Sequence, residues 1–349
     1  MVTIRIGKHA IGTGNPCFII AEAGVNHNGS IDLAFKLVDA ASAAGADAVK
    51  FQTFRAESLV TTGAPKAAYQ KDTTGAGESQ FDMIKRLELP FEAFAKLQEY
   101  CSKRAIMFLS TPFDEDAVDY LAMLDVPAFK VASSEVTNHP LLERVAAKTK
   151  PVILSTGMCT LEEVGEAVKV IKGSGCSELA LLHCVSNYPA NPSDVNLRAM
   201  ETMRRVFNLP VGYSDHTAGT EIPIAAVALG ASIIEKHFTL DRGFPGPDHR
   251  ASLDPEQFAF MVRGIRDVEA ALGDGEKRPA AAEAEIAGIA RRSLVAVCDV
   301  PAGSRIEKGH LVALRPSGGI PPNMVARVVG RQAARLIKAG AQLSWEDLQ

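Results

Sequence analysis

The 349-residue chain lacks the marks of several large function classes. It has no Gly-x-x-x-x-Gly-Lys loop and no Gly-x-Gly-x-x-Gly behind a strand pattern, so nucleotide and dinucleotide cradles are unsupported. It has no long apolar run. The stretch 17–21 near the N-terminus is too short for a spanning or signal helix, and no membrane partner is expected. Charge of one sign is also scarce. A formal net charge of −4 gives no strong pull toward nucleic acid or acidic lipid, and no nucleic acid partner is expected. The six cysteines (17, 101, 159, 176, 184 and 298) show neither metal-ligand spacing nor a paired pattern, which fits buried, reduced thiols in a cytoplasmic protein. There is no internal repeat and no coiled coil.

What is present is an alternation. Hydrophobic residues make up 47% of the chain and charged residues 22%, enough for a sizeable core. Short apolar, β-branched runs at 17–21, 47–51, 105–109, 128–131, 151–154, 178–184, 209–213 and 232–236 alternate with longer segments of helical period. Eight such pairs predict a parallel sheet closed into a (β/α)8 TIM barrel. Helix signals agree. Ser30 caps a helix over 31–44 with Leu33, Leu37, Val38 and Ala41 on one face and Gly45 as its stop. Thr160 and Glu163 form a capping box, and Asp254-Pro255-Glu256-Gln257 opens the last barrel helix. The polar, Gly/Thr/Ala-rich stretch 55–80 reads as a loop excursion over the barrel mouth. The barrel pattern ends near Leu272, giving a catalytic domain over 1–272 and a linker over 273–285. Three short segments between turn signals (293–298, 310–314 and 325–329) make 286–349 a small β-rich domain.

Function in such barrels gathers where the strands end. Each run here ends in polar or ionisable residues. His216 closes the seventh run and His237 the eighth, so neighbouring strands bring two imidazoles together, a pair suited to a Mn²⁺-like or Zn²⁺-like ion. His27, His183 and His249 are weaker candidates. Lys50 and Lys130 point into the same mouth and suggest anion binding, a Schiff base or structural ion pairs. The nearby hydroxyls Ser133, Ser155 and Ser214 favour an anion, because phosphate needs several donors. Glu22 and Glu135 are candidate general acids or bases.

These residues sit in a run of ordered motifs. They include Phe-Ile-Ile-Ala-Glu-Ala-Gly-Val-Asn-His-Asn-Gly (18–29), Val-Lys-Phe-Gln-Thr-Phe (49–54), Leu-Ser-Thr-Pro-Phe-Asp (109–114), Ile-Leu-Ser-Thr-Gly-Met (153–158), Gly-Tyr-Ser-Asp-His-Thr (212–217), Glu-Lys-His-Phe-Thr-Leu-Asp (235–241) and Gly-Pro-Asp-His-Arg-Ala-Ser-Leu (246–253). Together they resemble the sialic acid synthase family, which includes N-acetylneuraminate, legionaminate and pseudaminate synthases. The tail, through Arg-Arg-Ser-Leu-Val-Ala (291–296) and Leu-Arg-Pro-Ser-Gly-Gly-Ile (314–320), resembles that family's antifreeze-like (SAF) domain.

The resemblance implies a condensation of phosphoenolpyruvate with an open-chain amino sugar, with phosphate leaving by C–O cleavage. N-acetylneuraminate synthase is the leading expectation, and N,N'-diacetyllegionaminate synthase the alternative. It further implies that His216 and His237 hold Mn²⁺ or Mg²⁺, and that Lys50, Thr111, Lys130, Ser133, Ser155 and Ser214 bind phosphoenolpyruvate with Ser186 or Asn187. Glu135 would manage the attacking water, Glu22 would orient the metal shell or sugar, and Gln52, Tyr188 and Asp248 would contact the sugar. The tail would cross a domain-swapped homodimer, so that Arg315 grips the N-acyl group in the other subunit's site. Two positions depart from relatives: Ser134 stands where they often carry glycine, and Ser186 aligns with a phosphate-side asparagine that here sits one place on, at Asn187.

Overall fold

The computed structural model describes residues 2–75 and 77–349. The chain divides into two compact units, Met1–Gly273 and Asp274–Gln349. The first begins with a small antiparallel hairpin, β1 (Ile4–Ile6) and β2 (His9–Ile11), whose strands are too short to carry a readable period. The parallel strands follow: β3 (Phe18–Gly24), β4 (Ala48–Thr53), β5 (Met107–Pro112), β6 (Phe129–Val131), β7 (Val152–Ser155), β8 (Leu179–Cys184), β9 (Val211–Asp215) and β10 (Ile233–His237). Their order is β5-β4-β3-β10-β9-β8-β7-β6, so the first and last barrel strands pair. Strands β5 and β6 lie side by side at the one seam without a ladder. The result is the expected TIM barrel, nearly closed.

Strand pleat explains both cores. Side chains alternate across each strand. Ile20, Ala48, Leu109, Ala128, Ile153, Ala180, Leu182 and Ile233 form one apolar cluster with Ile4, Ile6 and Ile11 of the hairpin, which packs against the barrel's lower interior. The opposite parity, such as Ile19, Val49, Phe108, Leu154 and Ile234, joins the helices in the main core. Crowding inside is severe at Gly212 of β9, where a Cβ would lie 2.3 Å from the carbonyl oxygen of Ile233.

Outside the barrel run α1 (Ile31–Ala43), α5 (Phe91–Lys103), α6 (Glu115–Met123), α7 (His139–Ala146), α8 (Leu161–Gly173), α9 (Ala199–Phe207), α10 (Glu221–Ala228) and α11 (Pro255–Leu272). Ser30 caps α1 by accepting from the amide of Leu33, and Thr160 and Asp254 begin α8 and α11 with capping boxes. On α1 the buried stripe is Ala34, Leu37, Val38 and Ala41; Leu33 stands only half-buried beside it.

Two expectations are corrected. The stretch 55–80 is not a plain loop. Apart from Ala76, which lies outside the described residues, it holds α2 (Ala56–Leu59), α3 (Ala68–Thr74) and the start of α4 (Gln80–Leu87). Ser79 and Asp82 cap α4, and the Lys66 ammonium ties the segment by donating to Thr74 Oγ1, the Gly75 carbonyl and Glu78. In the second unit, β11 (Ser293–Ala296) and β12 (Leu311–Leu314) pair antiparallel, preceded by α12 (Ala284–Ala290). The segment 325–329, read as a strand, is instead one helical turn, α13 (Val325–Val328), with Val328 in the unit's own core beside Leu294, Ile306 and Ile320. No helix among the described residues is long and apolar enough to cross a membrane.

Candidate active site

The inward parity that is apolar low in the barrel turns polar at the C-terminal strand ends. Glu22, Lys50, Gln52, Thr111, Lys130, Ser155, Cys184, Ser214, Glu235 and His237 all line one cavity of about 460 Å³. Ladder register brings them together: Glu22 is opposite Lys50, His237 opposite Glu22, Gln52 opposite Thr111 and Glu235 opposite Ser214.

Charge is concentrated in a buried double pair. Lys50 Nζ lies 2.7 Å from Glu22 and 3.9 Å from Glu235, and it donates to Thr111 Oγ1 at 2.9 Å. Lys130 Nζ is 3.4 Å from the other oxygen of Glu235. Burial alone would discharge Lys50, but the carboxylates of Glu22 and Glu235 outweigh it and hold the ammonium above its usual pKa. Lys130 has less compensation, and burial leaves its pKa lowered. Burial pushes the Glu235 carboxyl up, yet the two lysines and Ser214 overcome this and keep it ionised. Burial raises Glu22, whose Oε1 accepts from Gln52.

The imidazoles of His216 and His237 stand with ring centroids 5.3 Å apart. Burial lowers both pKa values, so both rings are neutral. His216 Nδ1 donates to the Val185 carbonyl at 2.7 Å, which leaves Nε2 with its lone pair free to ligate. His237 Nδ1 is buried without a hydrogen-bond partner among the described residues. No group of three or more His, Cys, Asp or Glu there could hold an ion. Two neutral imidazoles with a free ring nitrogen could supply two of the ligands of a divalent ion. Tyr188 packs on His216 at 4.1 Å and meets Tyr69 of α3 at 5.2 Å. Asp248 reaches within 3.8 Å of His237 Nδ1, and burial raises its pKa to about 7.

Other expected residues separate. Ser133 and Ser186 line the cavity near Gly157, whose amide donates to Ser133 Oγ at 2.8 Å. Asn187 does not: it is exposed, its side-chain oxygen accepting from the amide of Tyr188. Glu135 is not among the lining residues either. It ends a short 3-10 turn, Ser133–Glu135, and its carboxylate accepts from Ser134 and Asn138. His27, His183 and His249 lie outside the lining, bonded to Gly29, Val195 and Thr239 respectively. Arg315 belongs to the second unit, where it is exposed. Glu235 is the residue the strand-end reading missed. That reading took His237 from the eighth run; its neighbour Lys236 faces the other way and forms a buried pair with Asp215 at 2.5 Å.

The chain matches the NeuB family over residues 37–277 and the SAF domain over 291–349. The chain belongs to the NeuB family. It is 48% identical to N,N'-diacetyllegionaminic acid synthase of Legionella pneumophila, over 97% of this chain and 96% of that one. It is 46% identical to the protein of the same name from Campylobacter jejuni, over 92% and 96%. Among solved structures it resembles N-acetylneuraminic acid (sialic acid) synthetase from Leptospira borgpetersenii in complex with citrate. The TM-score is 0.72 at 38% identity, covering 82% of this chain and 95% of that one. Membership makes this NeuB chain a transferase of the phosphoenolpyruvate-condensing type implied by its motifs.

Proposed function

We propose that the chain condenses phosphoenolpyruvate with open-chain 2,4-diacetamido-2,4,6-trideoxymannose to give N,N'-diacetyllegionaminate, in the cytoplasm. The observation that carries the reading is one cavity holding two lysines, a set of hydroxyls and two neutral imidazoles. Ser155 Oγ, Glu235 Oε2 and His237 Nδ1 are buried there without a hydrogen-bond partner among the described residues, and a fold keeps such costly atoms where a ligand completes them.

Lys50 and Lys130 neutralise the phosphate and carboxylate of phosphoenolpyruvate, Thr111, Ser133, Ser155 and Ser186 donate to their oxygens, and Ser214 donates to Glu235 beside them. Glu22 holds Lys50 in place and is itself held by the Gln52 amide. His216 and His237 would hold Mn²⁺ or Mg²⁺, which when bound polarises the sugar aldehyde as a Lewis acid. C3 of phosphoenolpyruvate then bonds to the aldehyde carbon, and water adds at C2. The C2–O bond to phosphate breaks, leaving the 2-keto acid and inorganic phosphate. Glu235, ionised between the lysines and facing the cavity, takes the proton of that water in place of Glu135. Tyr188 and Asp248 hold the sugar beside the imidazoles. The working unit is a homodimer in which Arg315 of the partner subunit meets the N-acyl group.

Two observations favour this acceptor over N-acetylmannosamine. The more similar relatives bear the legionaminate name. Part of the cavity wall is also apolar, through Leu59, Met83 and Ile84 of the inserted helices with Phe54 and Phe113 beyond strands β4 and β5, which suits the methyl of a 6-deoxy sugar and leaves a C6 hydroxyl without a partner. Phosphate release with each sugar, and the mass of the product, test it. Faster turnover of N-acetylmannosamine overturns the acceptor; turnover of neither overturns the reaction.

A further inference from the structure

A second cavity of about 480 Å³ adjoins the first. The two share three lining residues: Met83 and Leu87 of α4, and Pro247 of the loop that follows β10. On the far side stand Asn28, Thr73, Thr74, Arg86 and Pro245. The partition is thus one side-chain layer thick, contributed by the inserted segment and the last barrel loop.

Met83 is the deformable part of that layer. It is 1% exposed, packs with Val25, Phe54 and Leu87, and has Thr74 Oγ1 3.6 Å from its sulfur. An unbranched thioether repacks at little cost, unlike proline or leucine in the same wall. The far chamber is suited to an acyl amide. Pro245, Pro247 and Leu87 offer an apolar lining for its alkyl part. Asn28 also lines the chamber, its Oδ1 engaged by His249 Nε2 at 3.2 Å, and its side-chain amide is a donor type suited to the acyl oxygen.

His216 and His237 line the same cavity as Met83 and Leu87 of α4, so with the aldehyde at the imidazoles, as proposed above, the substituents farther along the acceptor come within reach of the α4 wall. We infer that the chamber behind Met83 is the subsite for the acyl group on C4 of the acceptor, and that Met83 sets how long that acyl group can be. This rests on the 2,4-diacylamino acceptor proposed above. The acetyl group just reaches the chamber past Met83, and a longer acyl chain fits there only when the thioether moves aside.

The test compares two acceptors that differ only at C4, one carrying acetamido and one butanamido, in the full-length protein and its Met83→Ala and Met83→Phe variants. The readout is the ratio of kcat/KM for the butanamido sugar to that for the acetamido sugar. A general loss of folded protein lowers both values and leaves the ratio alone. Met83→Ala is expected to raise the ratio about tenfold, and Met83→Phe to lower it by a similar factor. A ratio that stays within about twofold of the parent in both variants overturns the role of Met83 while the acceptor reading stands. Turnover of N-acetylmannosamine with no turnover of either 4-acylamino sugar overturns the acceptor reading, and this inference falls with it.

Discussion

Gly157 offers the sharpest test of where the phosphate sits. Its backbone lies against three side chains that line the cavity: the amide donates to Ser133 Oγ, and a Cβ built on it would lie 2.4 Å from Ser186 Oγ, 2.6 Å from Cys184 Sγ and 3.1 Å from Ser133 Oγ. Its φ is not in the left-handed region, so alanine meets only a problem of space. Gly157→Ala must therefore rotate Ser186 and Cys184 away or shift the turn, a crowding cost of about 1–3 kcal/mol to stability. The functional cost is separate. A hydrogen bond to a charged group is worth roughly 1.5–3 kcal/mol, so one displaced hydroxyl weakens phosphoenolpyruvate binding about 10- to 100-fold. Steady-state phosphate release is measured with phosphoenolpyruvate varied against saturating sugar, then the reverse, alongside thermal unfolding. The expected result is a KM for phosphoenolpyruvate raised by that factor, with the sugar KM within about threefold of the parent. A folded variant with an unchanged KM for phosphoenolpyruvate refutes the placement of the phosphate among Ser133, Ser186 and Lys130.

Two further outcomes concern stability. Lys236 and Asp215 are fully buried partners behind the two histidines, so Lys236→Met strands a carboxylate and is expected to cost about 3–5 kcal/mol in denaturant unfolding, with Lys236→Met/Asp215→Leu recovering much of it. Burial depresses the His27 pKa from 6.5 to about 4, so the fold holds it neutral while the unfolded chain protonates below 6.5. The unfolded state then binds more protons, and stability is complete above pH 6.5 and lost as pH falls toward 4; one such site contributes about 2 kcal/mol of loss between pH 7 and pH 5. Urea unfolding at the two pH values should show a loss smaller by about that amount in His27→Gln, and an equal loss in both proteins removes the assignment.

The barrel was legible because eight apolar runs recur with polar ends, and each observed strand lies within two residues of its run at the start. Strand parity was the unused signal at the site. With His237 chosen as inward-facing, the period of two already selects Glu235 and rejects Lys236. Glu135 could not be placed this way, because it follows a strand by a 3-10 turn that ends the alternation. The inserted helices were opaque for another reason. At four, seven and eight residues they are too short for a helical period to show, and too short to stand without tertiary support. Only the Ser79–Asp82 cap announced one of them. Val325–Val328, rich in β-branched residues, has strand propensity, and the packing of Val328 into its unit's core overrides it.

Lys130 decides between the two chemistries that a barrel with buried lysines can support. It is the residue a Schiff-base aldolase would use, since burial lowers its pKa and frees some of its lone pair. Its surroundings argue the other way. Nζ is already 3.4 Å from Glu235, and an incoming phosphate adds negative charge to the same space. One further unit of negative charge at roughly 4 Å and an effective dielectric of 20 is worth about 4 kcal/mol, enough to raise the lysine by about 3 pKa units. Lys130 is then an ammonium in the complex that matters, a partner for phosphate and a poor nucleophile. Borohydride added with the amino sugar should leave no adduct and no loss of activity, whereas EDTA should abolish phosphate release and Mn²⁺ should restore it. A reduced sugar adduct on Lys130, with turnover indifferent to EDTA, would establish that the lysine works as an amine and would remove both the metal and the anion roles together.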